Sequence, residues 1–463
     1  MNRTKIAFAC VFFAGFLAFA DFNTMNVPDS TQIRRECAKR WFSEDLDVLR
    51  QNRIELHSNE IGQEFQIRLE ETDSSFAVIV APKMLLETDF YTENGIERRT
   101  VDDFPGDACG AWILFRNSVS GKGEKLRIYF SENSSEYVEF ENDENKTLAD
   151  FVICGLYAAK GVPVGIPFEK LYEASFQQIL LLTEHLLPWN YADSQKGQFD
   201  SKLQMIGVIR KNLGRIFYSA DTCYNEKGES IWISSGKKHS AGDLKDFAVQ
   251  TEIENPLFVD SAGFLKWIVD GLVVPFNGSF LYRDPLMVKT VSYETIGRNG
   301  ILGQTMDISF TLDWCRNLSA AGLSVRSSKK YMWNEANMDV QLDPFASEVA
   351  ENAAVSQITG FIKDSGYSVE TLKPLLYVLA STEPSYFYLA AIKRPVKEVY
   401  GNAENFIFDQ CAAIFPMYDK DGKFACVVFE NGRELTLNQF VSKYEGCFVN
   451  LSRVLSEKEF YPQ

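Results

Sequence analysis

The sequence predicts a protein of the α+β class, and three observations carry that reading. Between residues 64 and 141, short β-rich runs follow one another across turn-forming clusters, the pattern of a small antiparallel sheet. On both sides of this region apolar residues recur at helical spacing. Towards the C-terminus strands return, the last two joined by "DKDG", a hairpin signal.

Taken in order, the first twenty residues read as a secretory signal peptide. Arg3 and Lys5 supply a positive start, "IAFACVFFAGFLAFA" (6–20) a short apolar core, and Ala18 and Ala20 an A-x-A site before Asp21. The mature chain is therefore expected to begin near Asp21 in an exported compartment, periplasmic or extracellular in a bacterial envelope. Cys10 lies too early in the apolar core for a lipid-anchor cysteine. No later stretch reaches the ~18 consecutive apolar residues of a membrane span. Residues 30–53 read as a helix capped by Asp29 or Ser30. Five strands are expected at "EFQIRLEE", "SFAVIVAP", "GAWILFRN", "KLRIYFSE" and "EYVEFEN". From 147 to 187 the period turns helical, in "TLADFVICGLYAAKG" and "PFEKLYEASFQQILLLTEHLL", until Pro188. A further amphipathic helix, "SKLQMIGVIRKNLGRIFY", is followed by a polar loop, a strand at "SIWISS", and a helix entered through "DSAGFLKWIVDGL". Residues 275–385 are mixed, with helices expected near 308–320, 346–364 and 368–381. Strands close the chain at 386–395, 405–418 and 423–432.

The 463 residues suffice for about three domains of ~150 residues. The expected division is a signal peptide at 1–20, an N-terminal helix at 21–55, a β-rich accessory domain at 56–145 and a helical connector at 146–195. A C-terminal domain at 196–463 follows, with a large insertion at about 275–385. The net charge of −16 repels phosphate backbones and anionic lipid surfaces, which argues against nucleic acid as a partner. Of nine cysteines, removal of Cys10 leaves eight. Export permits disulfides, but the spacings are long, contain no C-x-x-C and leave any pairing open. Cys154 and Cys426 sit in apolar runs and read as small buried hydrophobes.

A cysteine hydrolase needs a thiolate at a helix N-terminus, an imidazole in reach and a third polar group to orient it. "DSAGFLKWIVDG" resembles the motif that opens the nucleophile helix of papain-like cell-wall peptidases and amidases of the NlpC type. "YFYLAAIKRP" resembles the family's first strand after the helices, and "QCAAIFPMYDKDGKFACVVFEN" its histidine hairpin. The resemblance implies a papain-like fold for about residues 196–450. Ser261 then stands at the nucleophile position, Cys411 at the histidine position, and Asp260 caps the helix beside them. It also implies that Ser261 and Cys411 lie within ~6 Å, near hydrogen-bond reach. The third polar residue would fall near 424–430, where the run "FACVVFE" is mostly apolar.

Both reactive positions thus depart from the family. A serine hydroxyl needs a general base, and no histidine follows His239. His57 belongs to the β-rich region, His185 to a helix end, and His239 to a polar loop. Ser235–Lys238 and Ser327–Lys330 match S-x-x-K without the companion motifs of penicillin-recognising enzymes. "DKDG" lacks an EF-hand glutamate, since position 428 is valine. "ENDEN" (141–145) reads as solvated charge. No Walker, dinucleotide or zincin motif appears, and neither a cofactor nor a metal is expected. The expectation is an exported, catalytically inactive papain-like envelope protein. It would bind a peptide, glycan or protein partner through the old cleft, with the β-rich segment as an accessory module. The alternative is an active cell-wall hydrolase using Ser261 or Cys411 as an unrecognised nucleophile.

Overall fold

Eight antiparallel strands form the N-terminal sheet in the order β1–β2–β3–β6–β7–β8–β9–β10. They are β1 (Glu55–Ser58), β2 (Glu64–Glu71), β3 (Phe76–Pro82), β6 (Trp112–Arg116), β7 (Gly123–Tyr129), β8 (Tyr137–Asp143), β9 (Lys146–Ile153) and β10 (Leu156–Pro163). Between β3 and β6 a separate hairpin, β4 (Met84–Thr92) with β5 (Gly95–Asp103), is exposed along most of its length. The computed structural model describes residues 25–72, 76–92, 95–143, 146–193, 197–240, 253–291, 308–350, 360–397, 404–420 and 422–463. The expected signal peptide and cleavage site lie outside the described residues.

The single helix expected over 30–53 is broken into α1 (Thr31–Ala38), a π turn at Lys39–Ser43 and the short α2 (Leu46–Leu49). Ile33, Cys37, Trp41 and Leu49 pack into one core with the sheet residues Phe65, Val78, Leu114 and Phe140.

The helical connector expected at 146–195 is corrected in its first half. Residues 147–161 are not helical but form β9 and β10, paired antiparallel as the edge of the sheet. Cys154 and Gly155, with φ of 50° and 79°, turn the chain between them in the left-handed conformations that a two-residue hairpin requires. Burial alternates from Lys146 to Phe151, but Phe151, Val152 and Ile153 are all buried, so the period-2 signal is lost at the apolar end of the strand. The second half is helical as expected, with a 3₁₀ turn at Phe168–Tyr172 and α3 (Phe176–Thr183).

The C-terminal part is built on a six-stranded antiparallel sheet, β15–β20–β16–β17–β18–β19. Its strands are β15 (Tyr367–Ser368), β16 (Tyr386–Lys397), β17 (Glu404–Tyr418), β18 (Phe424–Glu430), β19 (Arg433–Thr436) and β20 (Phe448–Leu455). Before it come α4 (Asp200–Asn212), β11 (Ile216–Tyr218), β12 (Thr222–Tyr224), β13 (Ser230–Trp232), β14 (Leu257–Val259), α5 (Ser261–Asn277), α6 (Arg283–Leu286) and α7 (Phe310–Ser327). Helices α8 (Leu372–Thr382) and α9 (Leu437–Lys443) complete it. Cys411, Ala413 and Phe415 of β17 share a core with α5 and α7, while Ala412 and Ile414 share another with α8 and α9. A strand buried on both faces explains the unbroken apolar run at 411–418. No helix forms in the described parts of 346–364, which are loop and turn at 346–350 and 360–364, and 351–359 lie outside the described residues. Among the described residues, no helix is long and apolar enough to cross a membrane.

Candidate functional site

The parallel pair β11–β14 delivers the chain to the start of α5. Asp260 caps the helix: its carboxylate accepts the Gly263 N–H at 2.8 Å, and its own N–H donates to the Thr222 carbonyl at 2.9 Å. The same carbonyl would lie 2.5 Å from a Cβ at position 263, so Gly263 is required by the close approach of β12. Two residues of the "DSAG" motif thus have packing reasons of their own.

From Ser261 through Val273 every residue of α5 is buried, so the helix is not amphipathic but enclosed on all sides. Pro275 lacks the N–H that would bond the Gly271 carbonyl. That carbonyl accepts the Tyr461 N–H at 2.9 Å instead, and the Trp267 indole donates to the Gln463 carbonyl at 2.8 Å. The C-terminal tail is thereby strapped along the helix.

The structure brings Ser261 and Cys411 together. Ser261 is 6% exposed and Cys411 0%. The Ser261 hydroxyl and the Cys315 thiol of α7 are both near enough to the Cys411 thiol to act on its ionisation. The Trp314 indole fixes α7 there by donating to the Ala262 carbonyl at 2.8 Å. Burial pushes the Cys411 thiol well above its ordinary range. Cys315 pushes the same way, and the Ser261 hydroxyl works weakly against both. Cys411 is therefore a neutral thiol at physiological pH. Asp260 behaves differently: burial raises its carboxyl to about 7 against the opposing Gly263 hydrogen bond, with Asp221 adding like-charge repulsion.

The run 424–430, expected to hold the third position, pairs with β17 only up to two residues short of Cys411. The β17–β18 ladder runs from Tyr418↔Phe424 to Ala413↔Phe429 and stops before Cys411. His239 stands beside Thr222, whose carbonyl accepts the Asp260 N–H, while the other two imidazoles lie elsewhere. His239 stacks on Trp232 at 4.0 Å between ring centroids, with its Nε2 3.4 Å from the Thr222 hydroxyl. His185 pairs with Glu184 at 3.2 Å on the surface, and His57 with Glu55 at 2.8 Å in the N-terminal sheet. Sequence reasoning missed Cys315. It lies inside the expected helix near 308–320, and nothing in "DWCRN" marks a residue that faces a strand thiol.

The cluster combines a hydroxyl, two thiols and a capping carboxyl around one helix N-terminus. It has the donors to hold a hydrogen-bonded core and lacks the imidazole that nucleophilic chemistry with serine or cysteine draws on. All eight cysteines of the described chain are free thiols.

A family model described as a domain of unknown function (DUF8515) matches residues 23–191. The match takes in α1, the eight-stranded sheet and α3, and ends before the elements that carry Ser261, Cys315 and Cys411. No curated protein and no solved structure matches the chain.

Proposed function

We propose that this is an exported envelope protein whose C-terminal domain is a papain-like, NlpC-type scaffold that has lost catalysis and acts by binding. The observation that carries this reading is the meeting of a helix-starting serine with a buried strand thiol, at the two positions where the resemblance implies nucleophile and histidine. The antiparallel strands β16–β17–β18 behind a buried helix support the same reading. The partner in this reading is a cell-wall peptide or glycan, or a protein of the envelope. The pattern of residues 1–20 supports export.

The competing reading, an active cell-wall hydrolase, meets two physical obstacles. Burial holds the Cys411 thiol neutral. Beside Ser261 the resemblance's histidine position holds Cys411, not an imidazole, and general acid–base help is worth ~10²–10⁴ in rate. The test measures turnover and co-sedimentation of purified peptidoglycan and its fragments with the wild-type chain, Ser261→Ala and Cys411→Ala. Binding without turnover, at equal levels in all three, is the expected result. Cleavage by the wild type that either alanine variant abolishes would establish an enzyme and overturn the proposal. Failure to bind any wall fragment would remove the wall as partner.

A further inference from the structure

Among the described residues, one group of three metal-ligating side chains converges, where the end of α1 meets β1. The Cys37 Sγ lies 3.9 Å from the His57 Nε2, and the Glu55 carboxylate lies 2.8 Å from that same nitrogen. All three ligand atoms fall within 4.8 Å of one another. Glu55 and His57 are two residues apart on a strand, so both side chains leave the same face. Cys37 comes down on them from the last turn of α1.

We propose that Cys37, Glu55 and His57 form a binding site for a divalent cation that accepts sulfur, zinc foremost, with the fourth position open to water. A site of one thiolate, one imidazole and one carboxylate matches the preferences of Zn²⁺, which takes such ligands at ~2.0–2.3 Å in a tetrahedron. The sulfur–nitrogen separation already suits two ligands of one ion. The nitrogen–oxygen separation has to open by roughly half an ångström to straddle an ion at those bond lengths. A nucleophilic relay does not fit the same atoms. In a relay the carboxylate holds one ring nitrogen and the thiol uses the other, whereas here both meet Nε2.

A positive group already occupies the approach to this site. The Arg40 guanidinium lies 2.5 Å from the Glu55 carboxylate and 3.7 Å from the Cys37 sulfur. Its side chain is 53% exposed and can swing into solvent, while Glu55 at 26% and His57 at 28% leave an ion a way in. The sequence carries no sign of the site, because it has neither a C-x-x-C nor an H-x-x-x-H spacing.

The test titrates the purified full chain with Co²⁺, following the thiolate-to-cobalt charge-transfer band, and then displaces the cobalt with Zn²⁺. One ion per chain is expected. Cys37→Ser should abolish the band, and His57→Ala should weaken binding by at least ~100-fold, the upper end of the loss for an outer-sphere partner. Arg40→Ala keeps all three ligands and removes the competing cation, so it should bind a few-fold more tightly, as for release of an exposed ion pair. Thermal unfolding of each variant separates lost binding from lost fold. Should Cys37→Ser fail to fold, Arg40→Ala and His57→Ala decide. Absence of the band in the wild type, its survival in folded Cys37→Ser, or weaker binding by Arg40→Ala would overturn the proposal.

Discussion

The Lys266 ammonium and the Asp270 carboxylate meet at 2.6 Å, one turn apart on α5, with side chains 0% and 1% exposed. The second carboxylate oxygen of Asp270 accepts the Leu281 N–H at 2.8 Å, and the ammonium lies 4.0 Å from the Tyr224 ring centre. Burial drives Lys266 down and Asp270 up, and each is opposed by its partner. Such a pair is dangerous to break singly. Lys266→Met should cost ~3–5 kcal/mol, because it strands a buried carboxylate. Lys266→Met combined with Asp270→Leu should recover much of that loss. Urea unfolding of the two variants measures both numbers. A single variant as stable as the double would show that the two charges do not depend on each other.

Gly263 supports a steric prediction. A methyl group there would stand 2.5 Å from the Thr222 carbonyl oxygen and 3.1 Å from the Cys223 Cβ. Backbone gives way less readily than a side chain, so Gly263→Ala should destabilise by ~1–3 kcal/mol although alanine is the better helix former. Gly207 is the control, since it lies inside α4 and a Cβ there would meet nothing within 4 Å. Gly207→Ala should be neutral or stabilising. Thermal unfolding of the two variants separates packing from propensity.

Asp260 gives the start of α5 a pH dependence. Its carboxyl is raised to about 7 in the folded protein, chiefly by burial, against ~3.9 for an unperturbed aspartate. Between those values the native state holds a proton that the unfolded chain has released. This group's contribution is therefore complete below about pH 4 and is lost as pH rises through 7. Asp260→Asn keeps a good cap and does not titrate. The melting temperature of the variant minus that of the wild type should become more positive from pH 4 to pH 8. A difference that is flat or falls over that range would contradict the assignment.

Which parts of the fold are legible in the sequence follows from which faces meet solvent. Strand β2 alternates in burial because one face lies on the core, and the run "EFQIRLEE" carries that alternation openly. The apolar end of β9 is buried throughout and mimics a helix, although Cys154–Gly155 carries the turn. The hairpin β4–β5 stands in solvent on both faces and so has no apolar period to detect. "FLKWIVDGL" reads as an amphipathic helix because Lys266 and Asp270 look like its wet side, yet they neutralise each other inside. At the site, Ser261 and Cys411 are reached through the family resemblance, and Asp260 through its capping chemistry. Cys315 and the Cys37–Glu55–His57 group depend on which elements pack together, and a single sequence does not carry that information.

Installing a thiol and an imidazole tests whether Ser261 and Cys411 meet with the geometry of a nucleophile and its base. Ser261→Cys places a thiol at the N-terminus of α5, where unpaired backbone N–H groups favour the thiolate. Burial opposes that charge, so the single variant should react with iodoacetamide only slowly near neutral pH. Adding Cys411→His supplies an imidazole, and a thiolate–imidazolium pair should form if the two side chains face each other as nucleophile and base do. The larger ring has to be accommodated beside Cys315, and overpacking costs ~1–3 kcal/mol. Cys315→Ala in the same chain gives it room. The rate of alkylation at position 261, read by mass spectrometry across pH 5–9, distinguishes the variants. The pair should show a plateau of reactivity reaching to lower pH than the Ser261→Cys variant. If the triple variant folds and its pH profile matches that of Ser261→Cys alone, the two positions are neighbours in a core and not the remains of a catalytic pair.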